Sequence, residues 1–339
     1  MMRNILKARK FMYVKQFKGF PTISHFELVE EELGELNDGE FLTSAEFLSV
    51  DPYQRAMMLN FKPPALMVGG QIAQIIESKN SNFPVGAKVF AQCGWRTHTI
   101  IKPEKFAKHE LYVLPDFGSF PYSYGLSVLG MPGNTARFGF LEICQPKEGE
   151  IVVVTGAAGA VGSIVGQIAK IKGCKVIGFA GSDEKCKWLE TELGFDKAIN
   201  YKSADVEKQL KEAVPDGIDC FFDNVGGKLG HMINEQMRMF GRISICGAIS
   251  TYNDEEVLIP AFKTFHRRNL KMEGFNVHVR WSNRFMEGIK GNLEWMKEGK
   301  IKYEETITEG FENMPNAFID LFNGKNTGKA IVKVQKNKY

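Results

Sequence analysis

The chain has 339 residues, 44% hydrophobic and 24% charged, with a formal net charge of +3. That length exceeds one ordinary core and points to two domains, and the composition is that of a globular protein without low-complexity tracts. So small a charge excess gives no pull toward nucleic acid or an anionic membrane, and no apolar run is long enough to span a bilayer.

Residues 1–18 are basic and contain neither acidic residues nor serine, and they run directly into strand-like sequence. No organelle-targeting leader is expected, and a cytoplasmic location is. Residues 10–125 read as short strands punctuated by glycine and proline, notably 41–50, 70–76 and a turn feeding a strand at 84–90, which suggests a small barrel or curled sheet. Near residue 121 the texture becomes helical, and from there to about residue 300 strands alternate with helices.

The richest stretch opens this second region. Ile151-Val152-Val153-Val154 breaks into Thr155-Gly156-Ala157-Ala158-Gly159-Ala160-Val161-Gly162-Ser163, then resumes with helical spacing as Ile164-Val165-Gly166-Gln167-Ile168-Ala169-Lys170. Strand, glycine turn and helix form the layout of a dinucleotide-binding unit, in which a pyrophosphate sits at the helix N-terminus. Further strands are expected at 174–180, 198–201, 220–225 and 241–247, with a helix at 185–193 stopped by Gly194. Parallel neighbours need crossover connections, so this succession predicts a doubly wound parallel sheet with helices on both faces. Phe285, Ile289, Leu293 and Met296 mark one packed face of a later helix ended by Gly299. A last strand at 330–334 is expected to return to the first domain.

A ribose-reading carboxylate normally stands about twenty residues past the glycines. Here the strand ends in Ala180-Gly181-Ser182, followed by Asp183-Glu184-Lys185. Gly181 cannot repel a phosphate, while Ser182 can donate and Lys185 adds positive charge, which favours NADP over NAD. The plain alternative is that Ser182 and Asp183 only cap the next helix and Lys185 is a solvated charge. The six cysteines (Cys93, Cys144, Cys174, Cys186, Cys220, Cys246) form no C-x-x-C pair, and separate reduced thiols are expected. The six histidines (His25, His98, His109, His231, His266, His278) include no metal-binding spacing, so no metal site is expected.

Taken together, several segments resemble the zinc-independent medium-chain dehydrogenase/reductase family, in the branch of the prostaglandin and alkenal reductases. They are Val50-Asp51-Pro52-Tyr53, Gly130-Met131-Pro132-Gly133, residues 156–170 and 181–185, Phe222-Asp223-Asn224-Val225-Gly226-Gly227, residues 240–253 and 310–315. They hold a common order over nearly the whole chain. The resemblance implies an α/β protein: a GroES-like β-barrel domain (1–126 with 306–339) around a Rossmann domain (127–305). It also implies NADP(H) as cofactor and a homodimer. Carried over by position, Gly159, Ala160, Val161 and Gly162 would line the pyrophosphate, and Lys185 and Tyr201 would meet the 2′-phosphate and its adenosine. Asn224 would close on the cofactor, and Cys246, Gly247, Ala248, Ile249, Ser250, Thr251 and Tyr252 would run past the ribose and nicotinamide. Phe275, Asn276 and Val277 would brace the nicotinamide, and Asn326 would complete the pocket.

Zinc relatives carry Gly-His-Glu where this chain has Val68-Gly69-Gly70, and a cysteine lobe that this chain lacks. Without an ion to hold an alkoxide, the chemistry suits a conjugated substrate whose developing charge can spread. The resemblance therefore implies NADPH-dependent reduction of the carbon–carbon double bond of α,β-unsaturated ketones and aldehydes: 15-oxoprostaglandins, 2-alkenals or oxidised lipids. Tyr252 is the candidate proton or hydrogen-bond donor, the alternative being that it only holds the cofactor ribose. Tyr53 is a candidate wall of the substrate cleft. A quinone reductase, an NADP-dependent hydroxydehydrogenase and a non-catalytic NADPH-binding protein remain the alternatives on one shared fold. The chain departs from the branch at Asn134, Arg137, Asp254-Glu255-Glu256 and Arg267-Arg268. These positions are expected near the substrate, where the two arginines either hold an anionic tail or form a solvated helix face.

Overall fold

The computed structural model describes residues 6–253 and 264–335. The acidic segment Asp254-Glu255-Glu256 lies outside them. The chain divides into two compact units, one of residues up to 126 with 305–326 and from 330 on, the other of residues 127–304 with 327–329.

In the first unit come β1 (Lys7–Tyr13), β2 (Phe26–Glu32), β3 (Phe41–Ser49), α1 (Pro52–Met58), β4 (Ala65–Leu66), β5 (Gln71–Ser78), β6 (Lys88–Ala91), β7 (His98–Ile101) and β8 (Leu111–Val113). The second unit runs α2 (Met131–Phe138), β9 (Ile151–Val154), α3 (Gly162–Ile171), β10 (Lys175–Ala180), α4 (Asp183–Thr191), β11 (Lys197–Asn200), α5 (Val206–Ala213), β12 (Ile218–Asp223), α6 (Gly227–Asn234), β13 (Met237–Ile245), α7 (Phe265–Arg268), β14 (Lys271–Gly274), α8 (Val277–Arg280) and α9 (Phe285–Lys297). The chain then contributes β15 (Glu305–Glu309), α10 (Met314–Phe322) and β16 (Lys329–Lys333).

The first unit is built on a curled antiparallel sheet of order β15-β16-β3-β5-β6-β8, with β7 also against β3, and a smaller sheet β2-β1-β4. One aromatic core joins residues from both ends of the sequence: Phe11, Tyr13, Trp95, Phe311 and Phe318 are buried together. Trp95 stacks on Phe26 and meets Phe11 edge-on, geometries that aromatic quadrupoles favour.

The second unit is a six-stranded parallel sheet of order β11-β10-β9-β12-β13-β14. Its central strand β9 is buried along its whole length, as expected of a strand covered on both faces. The winding direction reverses between β9 and β12, and ligands of such sheets bind at the carboxyl ends beside that reversal. Among the described residues no helix is long and apolar enough to cross a membrane.

The stripe Phe285, Ile289, Leu293 and Met296 is buried as expected. The opposite outcome holds for Asn134 and Arg137, which pack between α2 and α9. Asn134 is fully buried and donates to the Phe285 carbonyl at 3.1 Å, and the Arg137 guanidinium lies 4.2 Å from the Trp295 ring centroid. Two glycines make the room: a Cβ on Gly288 would stand 1.7 Å from Asn134 Oδ1, and one on Gly291 would stand 2.5 Å from the Arg137 guanidinium. These departures from the branch are a matched helix contact. Arg268 is likewise structural, donating from Nη1 to the Glu235 and Met237 carbonyls at 2.8 and 2.7 Å, while Arg267 is exposed. Gly288→Val should overpack this contact and lower stability by about 1–3 kcal/mol, with Asn134→Ala in the same chain restoring part of the loss. Thermal and denaturant unfolding of the full chain measures both.

Candidate cofactor site

Strand β9 leaves the sheet through a turn that admits no side chain at two positions. Gly156 has φ +57°, and a Cβ on Gly162 would stand 2.3 Å from the Gly156 carbonyl oxygen. The turn is braced by a segment distant in sequence: the Gly328 N–H donates to the Ala158 carbonyl at 2.8 Å, and Tyr303 Oη donates to the Ala160 carbonyl at 3.3 Å. Gly159 and Gly328 form an isolated parallel bridge that turns the Ala160 N–H toward the Gly328 carbonyl, and among the described residues no protein acceptor takes the N–H groups of Val161 or Gly162. Two consecutive free donors at the start of a ten-residue helix are the kind of donor set that suits a pyrophosphate.

The next strand end is where a ribose reader is expected. Ser182 caps α4, its Oγ accepting the Lys185 N–H at 3.3 Å. The Tyr201 N–H donates to the Ala180 carbonyl at 3.1 Å, and a Cβ on Gly181 would stand 2.8 Å from Tyr201 Oη. Tyr201 thus fills the place where an NAD-selective site keeps its carboxylate. Lys185 is half-buried. Burial first, and then the Lys202 charge, push its ammonium below the usual lysine range.

Strands β9, β12 and β13 end on one buried residue, Asp223. Asp223 Oδ1 accepts from Thr155 Oγ1 at 2.7 Å and from the Val225 and Gly226 N–H groups, each at 2.9 Å. The Asp223 carbonyl accepts the Cys246 and Gly247 N–H groups at 2.8 and 3.2 Å. Asn224 donates its amide to the Thr155 carbonyl at 2.7 Å, which leaves its side-chain oxygen as the group to offer a ligand. Segment 246–252 is tied to this turn through Ser250 Oγ, which donates to the Val225 carbonyl at 2.6 Å. Tyr252 Oη accepts the Ala248 N–H at 3.4 Å, and burial raises the phenol above its ordinary value.

Past β14, Phe275 packs edge-on against Phe222 and Trp281, and Val277 is buried. The Asn276 side chain caps α8, accepting the His278 and Val279 N–H groups at 3.0 and 3.3 Å. Every predicted cofactor residue from Gly159 to Val277 therefore lies at or just beyond the carboxyl ends of this one sheet. Tyr53 and Asn326 belong to the other unit. Tyr53 follows Pro52 at the start of α1, and burial holds its phenol well above the ordinary range, with the Asp51 charge adding to the effect and a hydrogen bond with Gln92 opposing it. Sequence reasoning left Thr155, Asp223, Asn200, Lys202, Tyr303 and Gly328 without a role. Asp223 lies inside a quoted motif, and its type was the available signal, because a carboxylate inside an apolar strand has to be paired.

A family model described as the N-terminal domain of oxidoreductase matches residues 9–109, and one described as zinc-binding dehydrogenase matches residues 160–290. Prostaglandin reductase 1 of Bos taurus is 51% identical, over 97% of this chain and 100% of its own. The chain belongs to the prostaglandin reductase branch of the medium-chain dehydrogenase/reductase family. The NADP(+)-dependent 2-alkenal reductase of Nicotiana tabacum is 39% identical over 86% of each chain. The crystal structure of CurA from Vibrio vulnificus in complex with NADPH superposes with a TM-score of 0.89 at 38% identity, covering 97% of this chain and 100% of that one. The two units are the GroES-like barrel and the Rossmann domain of this family. Although one family model is described by zinc, no three His, Cys, Asp or Glu side chains come together as a metal site among the described residues.

A thiol stands at the start of the 246–252 segment at Cys246, pushed up to about 12 by burial first and by the Asp223 charge second. At pH 7 the thiol is overwhelmingly protonated. Iodoacetamide should therefore label Cys246 of the folded protein far more slowly than that of the urea-unfolded chain between pH 7 and 9, as read by peptide mass spectrometry.

Proposed function

We propose that this protein uses NADPH to reduce the carbon–carbon double bond of α,β-unsaturated ketones and aldehydes, a class that takes in 2-alkenals, 15-oxoprostaglandins and oxidised lipids. The observation that carries this reading is the nearly whole-chain likeness to both a prostaglandin reductase and an alkenal reductase. The corner built of Gly181, Tyr201 and Lys185 supports NADPH over NADH, since it offers a cation and a phenol where a diol reader would offer a carboxylate.

When bound, NADPH supplies the hydride to the β-carbon of the conjugated alkene. The chain's own task is to hold the pieces in line and to meet the charge that develops on the carbonyl oxygen. Free N–H groups at Val161 and Gly162, beside Gly159 and Ala160, would hold the pyrophosphate, Asn224 and residues 246–252 would line the ribose and nicotinamide, and Phe275, Asn276 and Val277 would back that ring. Tyr252 is suited to donate a hydrogen bond, because burial keeps its phenol protonated and the Ala248 N–H already occupies one lone pair of its oxygen. The α-carbon then takes its proton from Tyr252 or from solvent. The tasks of Tyr53 at the substrate and Asn326 at the cofactor rest on the family likeness alone.

We also propose a homodimer that extends the Rossmann sheet, because β14 is its outer strand with one edge unpaired among the described residues. The free thiols support a reducing, cytoplasmic setting.

Nicotinamide absorbance decides the activity. A short 2-alkenal or a 15-oxoprostaglandin should oxidise NADPH rapidly and NADH poorly. Turnover of a quinone alone would move the chain to the quinone reductases, and tight NADPH binding without turnover would make it a binding protein. Tyr252→Phe should cut kcat about 10²-fold or more, the range of a lost general acid, with NADPH affinity kept; a loss confined to NADPH affinity would assign Tyr252 to the ribose. Sedimentation should give twice the chain mass, and a single-chain mass would remove the dimer.

A further inference from the structure

We propose that Lys202 is a second cation for the 2′-phosphate of NADPH, acting beside Lys185, and so helps set the choice of NADPH over NADH. This rests on the NADPH reading of the site and adds a residue to it.

The backbone that carries Lys202 is fastened to the helix that carries Lys185. β10 and β11 run in register so that Ala180 pairs with Asn200, and their turns leave the sheet at one level. Asn200 joins the two turns: its amide donates to Asp183 Oδ1 at 2.8 Å, at the first residue of α4, and its side-chain oxygen accepts the Lys202 N–H at 3.1 Å. The Ser203 N–H closes the turn on the Asn200 carbonyl at 3.0 Å. Lys202 Nζ then lies 6.0 Å from the centroid of the Tyr201 ring, whose hydroxyl lies over Gly181.

The nearby acids are turned elsewhere. Asp183 accepts from Asn200, Asp205 from Ser203 and Gln209, and Glu184 is engaged with Ser182. Among the described residues no carboxylate lies within ion-pair distance of Lys202. Two like charges in one corner repel, and the Lys185 ammonium is also partly desolvated. A dianion between them would reverse both costs, and a ribose 2′-phosphate is a dianion that the neighbouring glycine turn would deliver there with its pyrophosphate. Asn200 is the positioning residue in this arrangement.

The test compares Lys202→Ala, Lys202→Arg, Lys185→Ala and, as a surface control, Lys208→Ala in the full chain. Dissociation constants for NADPH and NADH come from nicotinamide fluorescence, and those for adenosine 2′,5′-bisphosphate and adenosine 5′-monophosphate from calorimetry. Lys202→Ala should weaken NADPH and the bisphosphate about tenfold, the worth of one charged hydrogen bond, while leaving NADH and the monophosphate within about twofold. Its NADPH affinity should also fall less steeply with salt, and Lys202→Arg should keep most of the affinity. A wild-type chain that prefers NADPH, with Lys202→Ala unchanged and Lys185→Ala impaired, would overturn the role of Lys202 alone. A wild-type chain that binds NADPH and NADH alike would overturn the NADPH reading and this inference with it.

Discussion

The candidate site depends first on the buried carboxylate of Asp223. It gathers the Thr155 hydroxyl and two backbone N–H groups, while its own carbonyl anchors the start of the 246–252 segment. Three adjacent strand ends are thereby held by one residue with its donors supplied, the condition under which a charge survives burial. The same contacts restrict Asn224, whose amide is committed to Thr155. What a ligand meets at the switch in winding direction is a surface already fixed by the protein, and such preorganisation lowers the entropy lost on binding.

The corner proposed to select the cofactor is built differently, by substitution of volume. With no side chain at Gly181, the hydroxyl of Tyr201 occupies the ground that a diol-reading carboxylate would hold. In the proposed reading, the missing carboxylate would remove a repulsion, and the half-buried lysine on the adjoining helix would add an attraction. Both changes are needed, since discrimination between two close ligands comes from disfavouring one as well as favouring the other.

Much of this was legible in the sequence where the cause was local. The run 151–171 declares strand, turn and helix because β-branched residues, small residues and helical spacing each fit one conformation, and the structure places β9 and α3 there. Ser182 as a cap and Gly299 as a stop are of the same kind. What stayed hidden depends on partners far along the chain. Asn134 and Arg137 look like substrate residues until Gly288 and Gly291, more than 150 residues later, are seen to make room for them. Lys202 looks like any surface lysine until Asn200 bonds back to Asp183. Strand limits moved by a few residues for a similar reason: β13 begins at Met237, ahead of the expected 241, because its pairing with β12 shifts register near Cys220.

The order of the chain has a consequence for synthesis. One edge of β3 is shared: β7 pairs with its first residues, from Phe41 to Ser44, and β16 with its last, from Phe47 to Ser49. β7 leaves the ribosome early, whereas β16 follows only after the whole Rossmann sheet has been made. A nascent barrel therefore waits with half an edge open, and with the aromatic cluster around Trp95 lacking Phe311 and Phe318, while the inserted domain, nearly all of it continuous in sequence, can already close. Translation past residue 333 is what completes the barrel, so a stalled or truncated chain would present an unpaired strand edge of the sort that chaperones bind and aggregates recruit.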